Sequence, residues 1–270
     1  MQPFLKWAGG KRWLVPIIKD QIPIYKKYYE PFVGSGTMFF ALEPKNAVLS
    51  DTNKDLINCY RQVRNHCGAV IKILKRLNFD KQTYYKVRDN LYSKSDAIRR
   101  AAYFIYLNKT CWNGLYRVNT KGNFNVPVGT ISKNKEIFDE WHLLAASRCL
   151  KKAELQCVDF EEAIKRAKKD DLVYLDPPYV TSHLKNGFIK YNSKLFSQID
   201  ELRLARIATQ ISNKGSHVIV SNAAHPMIKD LYDGQFYKNE ITRFSGIAAD
   251  SSRRMDFLEL LVTNFQLHCN

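Results

Sequence analysis

Six short apolar runs, each too short for a core helix, alternate with segments of helical period, and this alternation most limits the folds open to the chain. The runs fall at 28–31, 47–51 (AVLSD), 155–158, 171–176 (DLVYLD), 216–222 (SHVIVSN) and 257–265 (FLELLVTNF). The helical segments fall at 36–42, 53–66, 160–168, 197–214 and 226–232. Parallel strands need crossover connections, and helices supply them, so the pattern predicts an α/β fold with a largely parallel sheet and helices on both faces.

One stretch breaks this rhythm. Between about 57 and 159 the pattern turns helical, most clearly at 84–92 and 96–112. A piece reading L-Y-R-V-N-T-K-G-N-F-N-V-P-V follows, in which Thr120-Lys121-Gly122-Asn123 supplies turn chemistry between two β-rich flanks. The chain carries 42 Lys and Arg against 26 Asp and Glu, a formal net charge of +16. Residues 57–159 hold 19 of the basic residues against 8 acidic ones, a net of +11. Charge concentrated in one insert suits a polyanionic partner, nucleic acid foremost, with a merely solubilising surface as the alternative. The expected organisation is a catalytic sheet of residues 1–56 and 160–270, with a nucleic-acid-binding module, 57–159, spliced into it. No internal repeat or low-complexity linker separates them, so close packing is expected.

Other classes are excluded on composition. With 45% apolar residues the chain can bury a core, which excludes disorder as its main character. No apolar run approaches the roughly 18 residues of a membrane-spanning helix. The start, MQPFLKWAGGKR, mixes apolar and basic residues and lacks the apolar stretch of a signal peptide. Cys59, Cys67, Cys111, Cys149, Cys157 and Cys269 form no C-x-x-C pair, and His66 beside Cys67 has no second ligand pair. Reduced thiols, no metal and a cytoplasmic setting are expected. The six histidines form no cluster.

Asp176-Pro177-Pro178-Tyr179 directly follows the run DLVYL. At the carboxyl end of a buried parallel strand, where open α/β sheets place ligands, this tetrapeptide makes a rigid cradle for a planar ring bearing an amino group. Asp176 and the Pro177 carbonyl each accept a hydrogen from an exocyclic NH₂. The proline rings fix the backbone beforehand, and Tyr179 offers a face for stacking. An ordinary proline turn capped by Asp176 is the plainer alternative, and the buried strand before it weighs against that.

Glu30-Pro31-Phe32-Val33-Gly34-Ser35-Gly36 is a second strand-to-helix turn, whose glycines let a ligand approach the backbone. Asp51 ends the next strand, where a carboxylate commonly holds ribose hydroxyls. A dinucleotide fingerprint wants glycine at position 39, where Phe39 stands, so a nucleoside ligand without a pyrophosphate is expected. Phe4-Leu5-Lys6-Trp7-Ala8-Gly9-Gly10-Lys11 reads as a second loop over a small ligand, or as a mobile basic N-terminus.

In this order, F-L-K-W-A-G-G-K, E-P-F-V-G-S-G, S-D-x-N, N-G-L-Y-R-V-N, F-N-V-P-V-G and D-P-P-Y resemble the Dam-type (D12 class, alpha group) site-specific DNA adenine-N6 methyltransferases, from Phe4 to about Phe265. The resemblance implies the Rossmann-like, mostly parallel fold of S-adenosylmethionine-dependent methyltransferases, with an inserted helical plus β-hairpin recognition domain. It also implies S-adenosylmethionine as methyl donor, double-stranded DNA as substrate, a GATC-like target and flipping of the adenine into the D-P-P-Y pocket. A monomer associated with the nucleoid through DNA, without membrane attachment, is expected.

Residue by residue, the resemblance assigns Trp7, Lys11, Phe32, Gly34, Asp51 and Asp176 to the donor pocket, and Asp159 and Phe160 to the donor's adenine. Asp176, Pro177, Pro178 and Tyr179 form the catalytic tetrapeptide around the target adenine. Arg117 matches the arginine that reads guanine, and Lys6 a lysine on the first guanine. Asn113, Leu115 and Pro127 fall on positions that touch bases in relatives. Trp112 stands where tyrosine is often found; it either fills the gap left by an extruded base or ends a helix as a core residue. Methylation of RNA adenine, cytosine N4 or protein glutamine is a competing reading, and a DNA-binding protein with a dead catalytic site is another. The run 165–169 reads as a solvated helix face. Ser251-Ser252-Arg253-Arg254 reads equally as a phosphate contact or a polar loop.

Overall fold

The computed structural model describes residues 1–90, 95–131, 136–179, 196–244 and 256–268. Its elements in chain order are α1 (Val15–Ile18), β1 (Tyr28–Glu30), α2 (Thr37–Leu42), β2 (Ala47–Ser50), α3 (Lys54–Leu74), α4 (Lys81–Asn90), α5 (Ala97–Thr110), α6 (Glu140–Leu150) and β3 (Ala153–Gln156). They continue with α7 (Phe160–Ile164), β4 (Leu172–Leu175), α8 (Gln198–Asn213), β5 (His217–Ala223), α9 (Pro226–Asp230), β6 (Tyr237–Phe244) and β7 (Asp256–Thr263). This is a mixed α/β chain with mostly parallel strand pairing, as the alternation predicts. Two compact units emerge, one of Met1–Val15 and Val33–Asp159, the other of Pro16–Phe32 and Phe160–Asn270.

In the first unit β2 and β3 pair in parallel from Ala47↔Ala153 to Ser50↔Gln156. Asn53 caps α3, its side chain accepting from the N–H groups of Asp55 and Leu56 at 3.1 Å each. The helix buries Leu56, Tyr60, Val63, Cys67, Val70, Ile71 and Leu74, an apolar stripe at helical spacing that faces α5 and α6. Arg61 and Arg64 donate to the carbonyls of Leu155 and Ala153 at 3.0 and 2.9 Å, so two of the basic residues hold strand β3 against α3. Helix α5, capped by Asp96, is buried on most of its circumference.

In the second unit the strand order is β1-β4-β5-β7-β6. β1, β4 and β5 are parallel, and β7 runs antiparallel to both β5 and β6. All four residues of β4 are buried, as a strand covered on both faces requires. A capping box joins Ser197 and Asp200 at the start of α8.

Several expected elements differ in extent. The helix expected at 53–66 continues to Leu74 across a break at His66 (φ −136°, ψ 35°). β3 starts two residues before the expected 155–158, and α7 stops at Ile164 short of 168. β6 was not among the expected strands: its sequence YKNEITRF mixes polar and apolar residues, and as the edge strand it has no buried run to betray it. Around the turn at 120–123 the flanks meet through a bridge between Val118 and Phe124, with Asn119 Oδ1 accepting from the N–H groups of Lys121 and Asn123 at 3.0 Å. Residues 91–92 of the expected helix 84–92, the segment Ser251–Arg254 and Cys269 lie outside the described residues. Cys59, Cys67, Cys111, Cys149 and Cys157 are free thiols. No described helix is long and apolar enough to cross a membrane, and no His, Cys, Asp and Glu group among the described residues has the arrangement of a metal site.

Candidate active site

In the first unit, the glycine turn, the end of β2 and the amino-terminal loop converge. Asp51, directly after β2, accepts from Gly34 N–H on Oδ2 at 3.3 Å and from Asn53 N–H on Oδ1 at 2.9 Å. It therefore ties the glycine turn to the cap of α3. Burial pushes the Asp51 carboxyl above its ordinary range, and the N–H groups of Asn53, Gly34 and Thr52 hold it back. Tyr60 donates to the Gly34 carbonyl at 2.7 Å. Gly34 has φ +45°, and a Cβ there would stand 2.7 Å from Trp7 Cδ1, so an indole packs against the space a side chain would fill. The glycine turn, the half-buried Asp51 carboxylate and the Trp7 indole are thus packed on one another. Phe4 and Leu5 are buried, Phe4 lies edge-on to Phe40 and Tyr60, and Lys11 is 2% exposed. The amino-terminal loop is thus a packed element, which removes the reading of a mobile tail.

The same unit holds the turn at the end of α5. Trp112–Gly114 forms a short 3-10 turn with Asn113 at φ 52° and Gly114 at φ 64°. Trp112 donates its N–H to the Pro127 carbonyl at 3.0 Å, and Gly129 N–H donates to the Thr110 carbonyl at 2.9 Å, which fastens the turn to 127–129. Trp112 is 52% exposed, which overturns the reading of it as a core residue. Asn113, Arg117 and Pro127 are exposed and Leu115 is half-buried. Arg117 donates from Nε to Asn125 Oδ1 at 2.8 Å and from Nη2 to the Asn125 carbonyl at 3.2 Å, so its guanidinium is oriented from behind. Lys6 lies against this turn, its backbone bonded to the Asn108 side chain. Trp7 stacks on Tyr116, ring centroids 5.5 Å apart and planes 22° apart. Asp159, at the end of this unit, is exposed.

In the second unit Asp176 follows the last residue of β4 and is half-buried, as are Pro178 and Tyr179, while Pro177 is buried. The Tyr179 hydroxyl donates to Glu259 Oε2 on β7 at 2.8 Å. Burial raises the Tyr179 hydroxyl well above its ordinary pKa, and the charges of Asp176 and Glu259 add to this, while Ser221 opposes it. Tyr179 is therefore a neutral ring held by its hydroxyl, suited to stacking. On the neighbouring strand Asn222 donates to both oxygens of the fully buried Glu201, at 3.1 and 3.0 Å. Phe32, Phe160 and Phe196 form an aromatic cluster with centroids 5.3 to 5.9 Å apart, and Arg203 lies 4.8 Å from the centre of the Phe160 ring.

The sequence-expected residues thus fall into two groups. Lys6, Trp7, Lys11, Gly34, Asp51, Trp112, Asn113, Leu115, Arg117, Pro127 and Asp159 stand in one unit, and Phe32, Phe160 and Asp176 to Tyr179 in the other. Tyr60, Asn108, Asn125, Ser221 and Glu259 support them and were not singled out from sequence. Asn108 had a faint signal, as a buried amide directly after the apolar run AAYFIYL of α5.

The profile of the D12 class N6 adenine-specific DNA methyltransferases matches residues 7–245. The chain is 38% identical over 275 residues to the type II methyltransferase M1.LlaDCHI of Lactococcus lactis subsp. cremoris, covering 98% of this chain and 96% of that one. It is 37% identical over 288 residues to the type II methyltransferase M.MjaIII of Methanocaldococcus jannaschii, covering 98% and 99%. A DNA adenine methylase of Vibrio cholerae is 36% identical over 236 residues, covering 86% and 84%.

Proposed function

The chain belongs to the D12 class of N6 adenine-specific DNA methyltransferases, and on that premise we propose that it methylates adenine N6 in a GATC-like site of double-stranded DNA, using S-adenosylmethionine, after extruding the base from the duplex. The observation that carries this reading is Asp176-Pro177-Pro178-Tyr179 at the carboxyl end of the buried β4, with Tyr179 held in place by Glu259.

The lone pair of adenine N6 is delocalised into the ring and is a weak nucleophile. Hydrogen bonds from N6 to the Asp176 carboxylate and the Pro177 carbonyl localise that pair on nitrogen. The donor, when bound, supplies an already activated sulfonium methyl group. The chain's task is therefore positioning and electrostatics, with no side-chain nucleophile. Asp176 holds N6 by one proton and receives a proton after transfer; a free carboxylate is too weak a base to remove it beforehand. Trp7, Lys11, Gly34, Asp51 and Asp159 are assigned to the donor, as are Phe32, Phe160 and Asp176, with Asp51 suited to ribose hydroxyls.

Extruding the base costs a few kcal/mol. Stacking on Tyr179, about 1–3 kcal/mol, offsets part of it. The half-exposed Trp112 fills the vacated space. Arg117 reads a guanine bidentately, Lys6 the first guanine, and Asn113, Leu115 and Pro127 touch bases, while the lysines of the insert 57–159 bind phosphates. The chain acts as a monomer in the cytoplasm. Sequencing of methylated adenines in DNA from cells expressing the chain tests this. Methyladenine confined to one short motif with a G-A core is expected, and its absence, or methylation of RNA alone, overturns the reading.

A further inference from the structure

Asn108 is buried at 3% exposure in the last turn of α5, a helix covered on most sides, so the root of its side chain is fixed. Its Oδ1 accepts from the backbone N–H of Lys6 at 2.8 Å and its Nδ2 donates to the carbonyl of Lys6 at 2.7 Å. One amide thus brackets one residue, as a neighbouring strand would. Nδ2 also lies 3.4 Å from the Gly114 carbonyl. Gly114 and Lys6 interlock: a Cβ at Gly114 would stand 2.6 Å from Lys6 Cβ and 2.5 Å from its Cδ. The next residue, Trp7, stacks on Tyr116, one position before Arg117. Two consecutive residues of the amino-terminal loop are therefore clasped by the turn that carries Trp112, Asn113, Leu115 and Arg117.

We propose that Asn108 is a positioning residue for specificity: it fixes where Lys6 stands against the Trp112–Gly114 turn, and so couples the donor-side loop to the DNA-reading turn. This rests on the proposed assignment of Lys6 and the turn to DNA. Only a neutral amide serves, because the site needs a donor and an acceptor side by side. Aspartate offers two acceptors and repels the Lys6 carbonyl, and alanine offers neither group. The consequence is selective. Loosening Lys6 blurs recognition of the base that Lys6 contacts, and leaves the base read by Arg117 in place, since Asn125 holds that guanidinium independently.

The test maps methyladenine made by the purified full chain on random-sequence duplex DNA, for the wild type, Asn108→Asp and Asn108→Ala, with thermal melting to show that each variant folds. Aspartate keeps the shape of the side chain, so it carries the test if the alanine variant does not fold. The expected result is a fall of about tenfold or more in discrimination at one position of the site, the scale of one good base contact, with discrimination at the other positions kept. A folded variant with wild-type discrimination, or an equal loss at every position, overturns the role of Asn108. A wild-type chain that leaves no methyladenine on any duplex overturns the underlying reading instead, and the proposal with it.

Discussion

The Tyr179 hydroxyl donates to Glu259 at 2.8 Å, tying the tetrapeptide after β4 to strand β7. Glu259 is 5% exposed and pairs in register with Ala223 of β5, so the acceptor is as fixed as the sheet itself. An aromatic ring anchored at its far end presents its face at low entropic cost. Tyr179→Ala is expected to lose about 1–3 kcal/mol of base stacking, seen as a fall in kcat/KM. Tyr179→Phe keeps the ring and is expected to lose far less activity, while giving up about 1 kcal/mol of stability to urea. Equal kcat/KM for alanine and phenylalanine would contradict a stacking role.

Asp176→Ala is expected to abolish transfer and leave duplex binding within about threefold of wild type, because one carboxylate contributes little to a salt-sensitive phosphate contact. Fluorescence anisotropy with a labelled duplex and a methylation assay on the same preparation separate the two effects. Loss of both together would point to a role in folding.

For Arg117→Ala, relaxed choice at one guanine is expected, worth about 1–3 kcal/mol of discrimination. Arg117→Lys is expected to relax it as well, since an ammonium group lacks the two-pronged geometry that Asn125 orients here. Comparing kcat/KM on duplexes altered at each position of the site measures this, and unchanged specificity would refute the assignment.

Stability carries a pH signature from Glu201. Burial, aided by the charge of Asp200, raises its carboxyl from 4.5 to about 7, against the pull of the Asn222 amide. Between these values the folded chain binds a proton that the unfolded chain has released. The stabilisation is thus complete below 4.5, declines as pH rises, and is gone above about 7. The shift corresponds to a loss on the order of 3 kcal/mol. Urea unfolding across this range is expected to show the decline in the wild type and a flatter profile in Glu201→Gln; identical profiles would contradict it.

Much of the architecture was legible because buried parallel strands advertise themselves. LVYL and VIV are unbroken apolar runs, and the strands that contain them, β4 and β5, are almost wholly buried. The edge strand β6 hid because exposure on both sides leaves no such run, and the continuation of α3 past His66 hid because a local break at that residue mimics an end. Around the site, residues that present chemistry were visible as motifs. Those that hold them were not. Glu259 interrupts the apolar run of β7 and Asn108 follows that of α5, and each reads as an ordinary polar position until the fold brings it to Tyr179 or Lys6. Trp112 was ambiguous because sequence gives its size and not its exposure.

Transfer of tritiated methyl groups from S-adenosylmethionine by the purified chain, offered duplex DNA, RNA and protein side by side, goes most directly to the claim that the pocket after β4 grips an adenine amino group. Label in duplex DNA alone, recovered as N6-methyladenine and lost in Asp176→Ala, is the predicted result. Label in RNA or protein only, or label in DNA that survives Asp176→Ala, would contradict it.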